Sequence, residues 1–342
     1  MPLTIEQALS MGEDAWADQD FDETLKYAEE ALALDPTSLD AIDLKANALA
    51  ELGDYEGADH AFAQLLQREP KNVAWQLAAA DVLIRQPGDD RERVEAGLQL
   101  LEKAAPIAKK DEQLFTALHL LRGVALNQLG DCEGALDSFE QVLLVDPDND
   151  EARLERAIAL FETCKFDQAF KAFEQISRDF ADEPWSFHYL GLIAERRGQP
   201  SKPWFEKAQR LDGDEFPPPV VLSDAEFAQA VSDAIANLPE HSRPAMANAV
   251  VEIEPLPSDE DLREGSLSPT ILGVFRGVPI DERSPTDPSH HQTARITLFK
   301  KNLERFARTR QDLLEEIRIT VLHEVGHLLG LDEDELYERG LD

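Results

Sequence analysis

A short motif near the end of the chain has residue types and a spacing that suit metal chemistry. His323, Glu324 and His327 form the pattern HEVGH, in which the two histidines are separated by three residues. On a helix these histidines lie on one face, one turn apart, so both imidazoles can reach a single zinc ion. Glu324 lies beside them and can accept the proton of a metal-bound water that attacks a carbonyl group. The motif therefore predicts His323 and His327 as ligands of Zn²⁺ and Glu324 as the catalytic base.

A third protein ligand is expected soon after the helix that carries the histidines. Gly330 follows the motif and suits a left-handed helix C-cap, which would turn the chain back. A run of acids comes directly after it and includes Asp332, Glu333 and Asp334. Each of the three could supply a carboxylate, and Asp332 could instead cap a last short helix. The residues alone leave the third ligand open among these acids.

The stretches around the motif predict a small α/β domain. Apolar residues recur at helical spacing over 311–329, which places the motif on an amphipathic helix. Ser223 and Glu226 form a capping-box pattern that predicts the start of another helix. A short helix is expected at 244–248 and a polar loop at 284–293. Strand patterns occur at 249–255, 270–279 and 294–299.

The first two thirds of the chain are repetitive. The pattern Gly-Asp-x-Glu-Gly-Ala begins at Gly53 and again at Gly130, and Pro70 and Pro147 follow at the same distance. Proline ends a helix because it has no amide donor and restricts the residue before it. This arrangement resembles the tetratricopeptide repeat, whose period is about 34 residues.

Each repeat is predicted to be a pair of helices. In the second copy, Ala46 and Ala58 are small residues at which the two helices can approach closely. Leu49, Phe62 and Leu65 are expected to fill the space beside them. The resemblance implies an array of about six repeats. They are placed at 5–38, 39–72, 73–110, 116–149, 150–183 and 184–212.

A change of pattern after the repeats predicts a second domain. The segment 213–221 contains three consecutive prolines and is predicted to link the array at 1–212 to a domain at 222–342. The expected fold class is mainly α. It consists of a tetratricopeptide-repeat α-solenoid followed by a small α/β (α+β) domain.

The second domain resembles the minimal zincin-like metallopeptidases, a group of small bacterial domains. The resemblance implies a compact mixed sheet with the zinc helix beneath it, and hydrolysis of peptide bonds by a metal-activated water. Metzincins place their third ligand six residues after the second histidine of HExxHxxG, which is Glu333 here. The implied ligand set is therefore His323, His327 and Glu333. The matching stretches are 231–239, 250–255, 272–279, 296–300 and 321–336.

Charge and composition limit the partners that the chain can have. Acidic residues number 69 against 33 basic ones, for a net charge of −36. Such a field repels nucleic acid and anionic membrane surfaces. Asp40, Asp43 and Glu151 are expected on the concave face of the array, where they favour a basic or apolar protein segment. The two cysteines, the missing signal-peptide pattern and the missing membrane-spanning run predict a cytoplasmic protein.

Two functional hypotheses follow from these patterns. In the first, the chain is a zinc-dependent metallopeptidase whose repeat array recruits a partner or substrate. In the alternative, it is a non-catalytic repeat adaptor with a structural or vestigial zinc site. Structural zinc usually has four protein ligands, mostly Cys and His, and no cysteine lies within 222–342. This absence favours the catalytic hypothesis, whose substrate the sequence does not identify.

Overall fold

The computed structural model describes residues 3–88, 90–240, 242–265, 267–280, 282 and 293–337. The chain divides into two compact units, Met1–Leu160 and Phe161–Asp342. No helix in the described part of the chain is long and apolar enough to cross a membrane.

The first unit consists of helices that pair in chain order. They fall within the stretches predicted as repeats, except that the helix Glu112–Gln128 begins before the stretch predicted at 116–149. The last of them continues into the second unit. Their bounds are α1 Ile5–Ala17, α2 Phe21–Leu34, α3 Leu39–Glu51, α4 Tyr55–Arg68, α5 Val73–Arg85, α6 Arg91–Ala108, α7 Glu112–Gln128, α8 Cys132–Val145 and α9 Asp150–Glu162.

The repeated Gly-Asp pattern forms the turn between the helices of a pair. Gly53 and Gly130 have φ angles of 80° and 81°, in the left-handed region that favours glycine. The aspartate after each glycine is the N-cap of the next helix. Oδ1 of Asp54 accepts a hydrogen bond from the amide of Gly57 at 3.0 Å, and Asp131 caps α8 in the same way. The motif therefore reverses the chain and begins the second helix.

Small and large residues alternate in the packing of α3 and α4, as predicted. Ala46 and Ala58 have no exposed surface, and Phe62 and Leu65 are also buried in the same cluster. Leu49 belongs to this cluster with 7% of its surface exposed. The close approach of the two helices at the alanines leaves the larger side chains to fill the space between neighbouring pairs.

The second unit combines the last repeat helices with a small sheet domain. Its helices are α10 Phe166–Asp179, α11 Pro184–Arg196, α12 Lys202–Leu211, α13 Asp224–Ala236, α14 Asp259–Gly265, α15 Lys300–Phe306, α16 Arg310–Leu329 and α17 Glu333–Tyr337, with a 3₁₀ helix at Arg243–Asn248. The strands are β1 Ala249–Glu254, β2 Gly273–Arg276 and β3 Ala294–Phe299.

The three strands form a mixed sheet in the order β1-β3-β2. The central strand β3 is parallel to β1 and antiparallel to β2, so that Ile296 lies opposite both Val251 and Phe275. The strand predicted at 270–279 is shorter in the structure. It ends before Gly277, whose φ of 142° departs from strand geometry. Residues 283–292, which contain most of the polar loop predicted at 284–293, lie outside the described residues.

Helix α16 packs between α13 and the sheet, and this contact forms the core of the domain. The buried residues include Phe227 of α13, Ile296 of β3, and Leu313, Ile317 and Val321 of α16. The capping box predicted at Ser223 and Glu226 begins α13. One apolar residue of α16 departs from the predicted stripe, since Leu314 is 37% exposed.

The Pro-rich segment 213–221 is held against α15. The amide of Val220 donates to the carbonyl of Glu304 at 2.8 Å, and the amide of Leu222 donates to the Glu304 carboxylate at 2.9 Å. Phe216 is buried. On the repeat side, Glu195 of α11 forms an ion pair with Arg305 of α15. The domain boundaries predicted at 212 and 222 stay a prediction.

Candidate metal centre

Two histidines of α16 face each other near the end of the helix. The Nε2 atoms of His323 and His327 are 3.1 Å apart, and the ring planes meet at 82°. Their side chains are 22% and 24% exposed, respectively, so a ligand held between them is reachable from solvent. The i, i+4 spacing thus brings both nitrogens to one place, as the sequence predicts.

The chain reverses directly after this helix. Gly330 has a φ of 96°, and the amide of Leu331 donates to the carbonyl of Gly326 at 3.0 Å. A side chain at Gly330 would strain this left-handed conformation. The predicted C-cap is therefore present, and it directs α17 back toward α16.

Helix α17 packs against α16 at a second glycine. A Cβ atom built on Gly326 would overlap Cδ2 of Leu336, which is fully buried. Only a residue without a side chain allows α17 to come this close to α16. The contact fixes the start of α17, where Glu333 lies, beside the histidines.

Glu333 completes a group of three side chains. Its Oε1 is 3.3 Å from Nε2 of His327, and its Oε2 is 3.7 Å from Nε2 of His323. One atom from each of the three residues lies within 4.8 Å of the other two. The structure brings together the three predicted ligands, and their binding of a metal stays a prediction.

The acids on either side of Glu333 are placed differently. Oδ1 of Asp332 accepts a hydrogen bond from the amide of Glu335 at 2.9 Å, and the Glu335 carboxylate accepts one from the amide of Asp332 at 3.2 Å. This reciprocal pair caps α17, the alternative use that the sequence allowed for Asp332. The side chain of Asp334 lies outside the described residues.

The turn after α16 also orients one imidazole. Nδ1 of His327 is 3.1 Å from the carbonyl oxygen of Leu331. Because a carbonyl only accepts hydrogen bonds, Nδ1 carries the proton in this contact. The lone pair of Nε2 is then directed toward His323 and Glu333, where a metal can use it.

Glu324 lies under the edge strand of the sheet. Its side chain is 5% exposed, and the backbone amide of Phe275 in β2 is hydrogen-bonded to its carboxylate. Burial raises the pKa of Glu324 to about 8, the Phe275 amide lowers it, and the negative charge of Glu333 raises it further. A Cβ atom built on Gly273 would lie 3.0 Å from Oε1 of Glu324, so a glycine lets β2 lie directly against this carboxylate.

Comparison with known protein families agrees with this geometry. Residues 246–341 match the model of the zincin-like metallopeptidases. Residues 15–82 and 126–194 match a tetratricopeptide-repeat model. The chain carries a tetratricopeptide-repeat array and a zincin-like domain. No curated protein matches the sequence.

Solved structures that are similar to the chain share the repeat fold. PilF of Pseudomonas aeruginosa is 16% identical, with a TM-score of 0.51, over 61% of this chain and 92% of its own. The APC/C hetero-tetramer Cut9–Hcn1 is 14% identical, with a TM-score of 0.52, over 62% of this chain and 41% of its own. TTC0263, a thermophilic repeat protein of Thermus thermophilus, is 21% identical, with a TM-score of 0.44, over 56% of this chain and 98% of its own.

The donor set of the zincin-like domain fits a zinc ion. With zinc–nitrogen distances of about 2.0–2.1 Å, tetrahedral geometry places donor atoms roughly 3.3–3.4 Å apart. The separations of 3.1, 3.3 and 3.7 Å among His323, His327 and Glu333 lie close to this value. Two neutral imidazoles and one carboxylate, with a fourth position for water, are a donor set of catalytic zinc sites.

Sequence patterns did not reveal several residues that shape the site. Gly326 lies inside the motif, yet its role depends on contact with Leu336 in α17. Gly273 and Phe275 contact Glu324 from a strand that is distant in the sequence. A glycine within a buried helix and another within a strand are the signals that could have indicated these close contacts.

Proposed function

We propose that the chain is a zinc-dependent metallopeptidase whose repeat array recruits a protein partner or substrate. The observation that carries the proposal is the convergence of one atom each from His323, His327 and Glu333 within 4.8 Å, with Glu324 next in sequence to the first histidine. Bound zinc would supply a Lewis acid for the substrate carbonyl and lower the pKa of a bound water toward neutrality.

In this proposal Glu324 moves the proton. Its carboxylate is held against β2 by the amide of Phe275, which restricts its orientation. A zinc ion bound nearby would favour the ionised carboxylate, which would accept the proton of the attacking water and then donate it to the leaving amine. His327 is held by the carbonyl of Leu331, so its Nε2 keeps its direction during the reaction.

The edge position of β2 supports an extended peptide as the substrate. Among the described residues, this strand pairs only with β3, and it is adjacent to α16. An extended segment can add to such an edge through backbone hydrogen bonds, which bind a peptide whatever its side chains are. The peptide would then pass beside Glu324.

The repeat array would recruit a basic or apolar protein segment. Asp43 is hydrogen-bonded by Asn47 at 3.0 Å, and burial raises its pKa. Glu151 forms an ion pair with Arg85 at 2.6 Å, so part of its charge is balanced within the array. Asp40, which is exposed, is therefore the best placed of the three acids to attract the partner. A pull-down that recovers mainly acidic C-terminal peptides would contradict this preference.

Metal analysis and cleavage profiling test the proposal together. The purified chain should contain one zinc, and proteomic profiling should find new peptide termini with the wild-type chain that are absent with Glu324→Ala. Identical profiles for the two chains would refute the peptidase. Bound zinc without any cleavage would favour the alternative, an adaptor with a structural or vestigial zinc site. The cytoplasmic location stays a prediction that fractionation of expressing cells can test.

A further inference from the structure

A groove in the unit 161–342 lies away from the histidines. The repeat helices α11 and α12 and the segment 213–221 border it on one side, and α15 and the start of α16 border it on the other. Its volume is about 1160 Å³. Pockets for single small ligands are usually about 300–1,000 Å³, so the groove has room for a short peptide.

Aromatic rings line the groove and stay accessible. Phe306 of α15 is 62% exposed and Trp185 of α11 is 37% exposed, although both are large apolar residues. The ring of Trp185 meets that of Phe216 edge-on, with 4.9 Å between the ring centres, and Phe205 lines the groove as well. Exposed aromatic side chains grouped in a concave surface are typical of binding sites.

The cations that line the groove are already engaged. Lys202 lies 3.7 Å from Glu206, and Arg305 is paired with Glu195. Arg308 donates to the backbone carbonyl of Asp214. Carboxylates therefore balance Lys202 and Arg305, whereas the exposed Arg308 keeps its charge.

The acids of the groove are less balanced. Glu215, Asp312 and Glu316 also line it. Burial raises the pKa of Glu316, its neighbour Glu315 raises it further, and no cation opposes them. His188 adds no positive charge near neutral pH, because burial, and secondarily Arg305, lower its pKa to about 4. The groove therefore presents aromatic rings within a negative field, which attracts cations that also have apolar neighbours.

The prolines of the segment 213–221 add a second preference, for ligands that donate hydrogen bonds. Pro217, Pro218 and Pro219 line the groove, and proline has a carbonyl acceptor but no amide donor. A ligand at this wall must supply the hydrogen-bond donors. Lysine and arginine side chains and peptide amides do so.

We propose that this groove binds an extended peptide segment in which Lys or Arg residues alternate with aromatic or aliphatic ones, and that the segment belongs to the substrate. The second part rests on the proposed peptidase function. The groove and the catalytic residues share two elements. Leu272 lines the groove and directly precedes β2, and Glu316 lines it on α16.

The distance between the two sites suits one substrate chain. Glu316 precedes Glu324 by eight residues. At about 1.5 Å per helical residue this is roughly 12 Å along α16. An extended peptide covers that length with about four residues, at about 3.3 Å each. A segment bound in the groove would thus lie about four residues from the bond that is cut.

Binding can be measured without any cleavage. The full chain with Glu324→Gln is titrated into three fluorescein-labelled nine-residue peptides of alternating Lys and Phe, Lys and Ser, or Glu and Phe, and anisotropy is followed. The Lys-Phe peptide should bind at least tenfold more tightly than the other two. If the Glu-Phe peptide binds as tightly as the Lys-Phe peptide, the groove does not prefer positively charged ligands.

Two groove variants and one array variant locate the binding. Phe306→Ser and Glu316→Lys, made at exposed or half-buried positions, should each weaken binding of the Lys-Phe peptide about tenfold. Asp137→Lys, at an exposed position of α8 in the array, should leave it unchanged. If the groove variants bind as the parent does, or if Asp137→Lys weakens binding as much as they do, the groove is not the site.

A cleavage experiment separates this inference from the proposed function. The wild-type chain with zinc is given quenched fluorescent peptides that carry the Lys-Phe segment about four residues from a randomised stretch, in either direction. Cleavage that falls in the groove variants but not in Asp137→Lys supports both proposals. If the peptides bind in the groove but none is cleaved, the proposed peptidase function is refuted. The assignment of the segment to a substrate is then refuted as well. The proposal that the groove binds a peptide would still hold.

Discussion

The repeat helices and the end of the zincin-like domain use the same contact for different purposes. In the array, a Cβ atom built on Gly123 of α7 would overlap the ring of Phe139 in α8. In the domain, one built on Gly326 of α16 would overlap Leu336 of α17. Each glycine lets a large side chain lie against a helix backbone. The first contact builds a helix pair, and the second lies beside Glu333, a proposed metal ligand.

The consequences of losing the two contacts differ because the surroundings differ. Phe139 is one of many buried side chains in the array. Each helix there packs on its neighbours, so many contacts together stabilise the fold. Helix α17 has five residues, and Glu333 is the first of them. A small displacement of α17 moves a ligand atom that must stay within a few tenths of an ångström of its position. Stability is spread over the array, whereas the site depends on single contacts.

Two buried glutamates, one in the array and one in the zincin-like domain, allow the two regions to be compared for a buried acid. Glu155 in the array accepts a hydrogen bond from Asn127 at 3.0 Å, and burial raises its pKa. Burial also raises the pKa of Glu324. Only Glu324 lies beside a group of histidines. A buried acid is therefore not by itself a sign of catalysis. The residues beside it determine whether a catalytic role can be proposed.

The largest expected effect is on catalysis. Glu324→Gln should keep zinc and lower the rate of peptide hydrolysis by about 10²- to 10⁴-fold, because the amide cannot accept the proton of the attacking water. The matched control is Glu155→Gln, which keeps the acceptor for Asn127 and should leave the rate unchanged. Metal content and the rate of cleavage are measured on the same samples. A Glu324→Gln chain that cleaves as fast as wild type would disprove the role of this residue.

The next effect concerns the third ligand. Glu333→Ala should weaken zinc binding by at least about 100-fold, since it removes a donor atom from the group of three. Asp332→Ala removes the N-cap of α17 and should cost about 1 kcal/mol of helix stability, with a smaller loss of zinc affinity. Competition with a chromogenic chelator measures both. A large loss with Asp332→Ala or Asp334→Ala, while Glu333→Ala binds zinc normally, would reassign the ligand.

The sequence predicted the elements that depend on local patterns. The Gly-Asp turns, the small alanines of α3 and α4 and the capping box of α13 each follow from residues close together in the chain. The Gly330 cap belongs to this group, because a left-handed turn needs a residue type rather than a distant partner. The local pattern left the third ligand open among the acids after this cap, and the resemblance to metzincins singled out Glu333.

Elements that depend on distant partners were not predicted. Helices α14 and α15 are short, and α15 begins at Phe299 without a side-chain cap, so neither has a strong signal in the sequence. Strand β2 is at the sheet edge, where pairing with β3 determines its length. The groove at Trp185 and Phe306 combines a repeat helix with α15, which no local pattern can indicate.

A third prediction concerns the helix α11, which is a repeat helix and also contacts the zincin-like domain through Glu195. The side chains of Glu195 and Arg305 are 15% and 18% exposed. Glu195→Ala would leave Arg305 buried without its partner, and we expect a loss of about 3 kcal/mol in the free energy of unfolding. Asp167→Ala is the control, because Asp167 is 92% exposed and its partner Arg197 is 28% exposed, so the loss should be less than about 1 kcal/mol. Equal losses in urea denaturation would show that α11 does not support the domain in this way.

The smallest effect is expected from the two glycines, and it tests the comparison most directly. Gly326→Ala adds one methyl group against Leu336 and should displace α17, which we expect to weaken zinc binding about tenfold, a loss typical of supporting residues. The free energy of unfolding should change little, because α17 has only five residues and can move away from the added methyl group. Gly123→Ala makes the matching change against Phe139. It should lower the free energy of unfolding of the array by about 1–2 kcal/mol and leave zinc binding unchanged. Chelator competition measures the zinc affinity of both variants, and thermal denaturation measures their stability. If Gly326→Ala binds zinc as tightly as wild type, the close contact of α16 and α17 does not hold Glu333 in place, and the contrast between array and site would lose its physical basis.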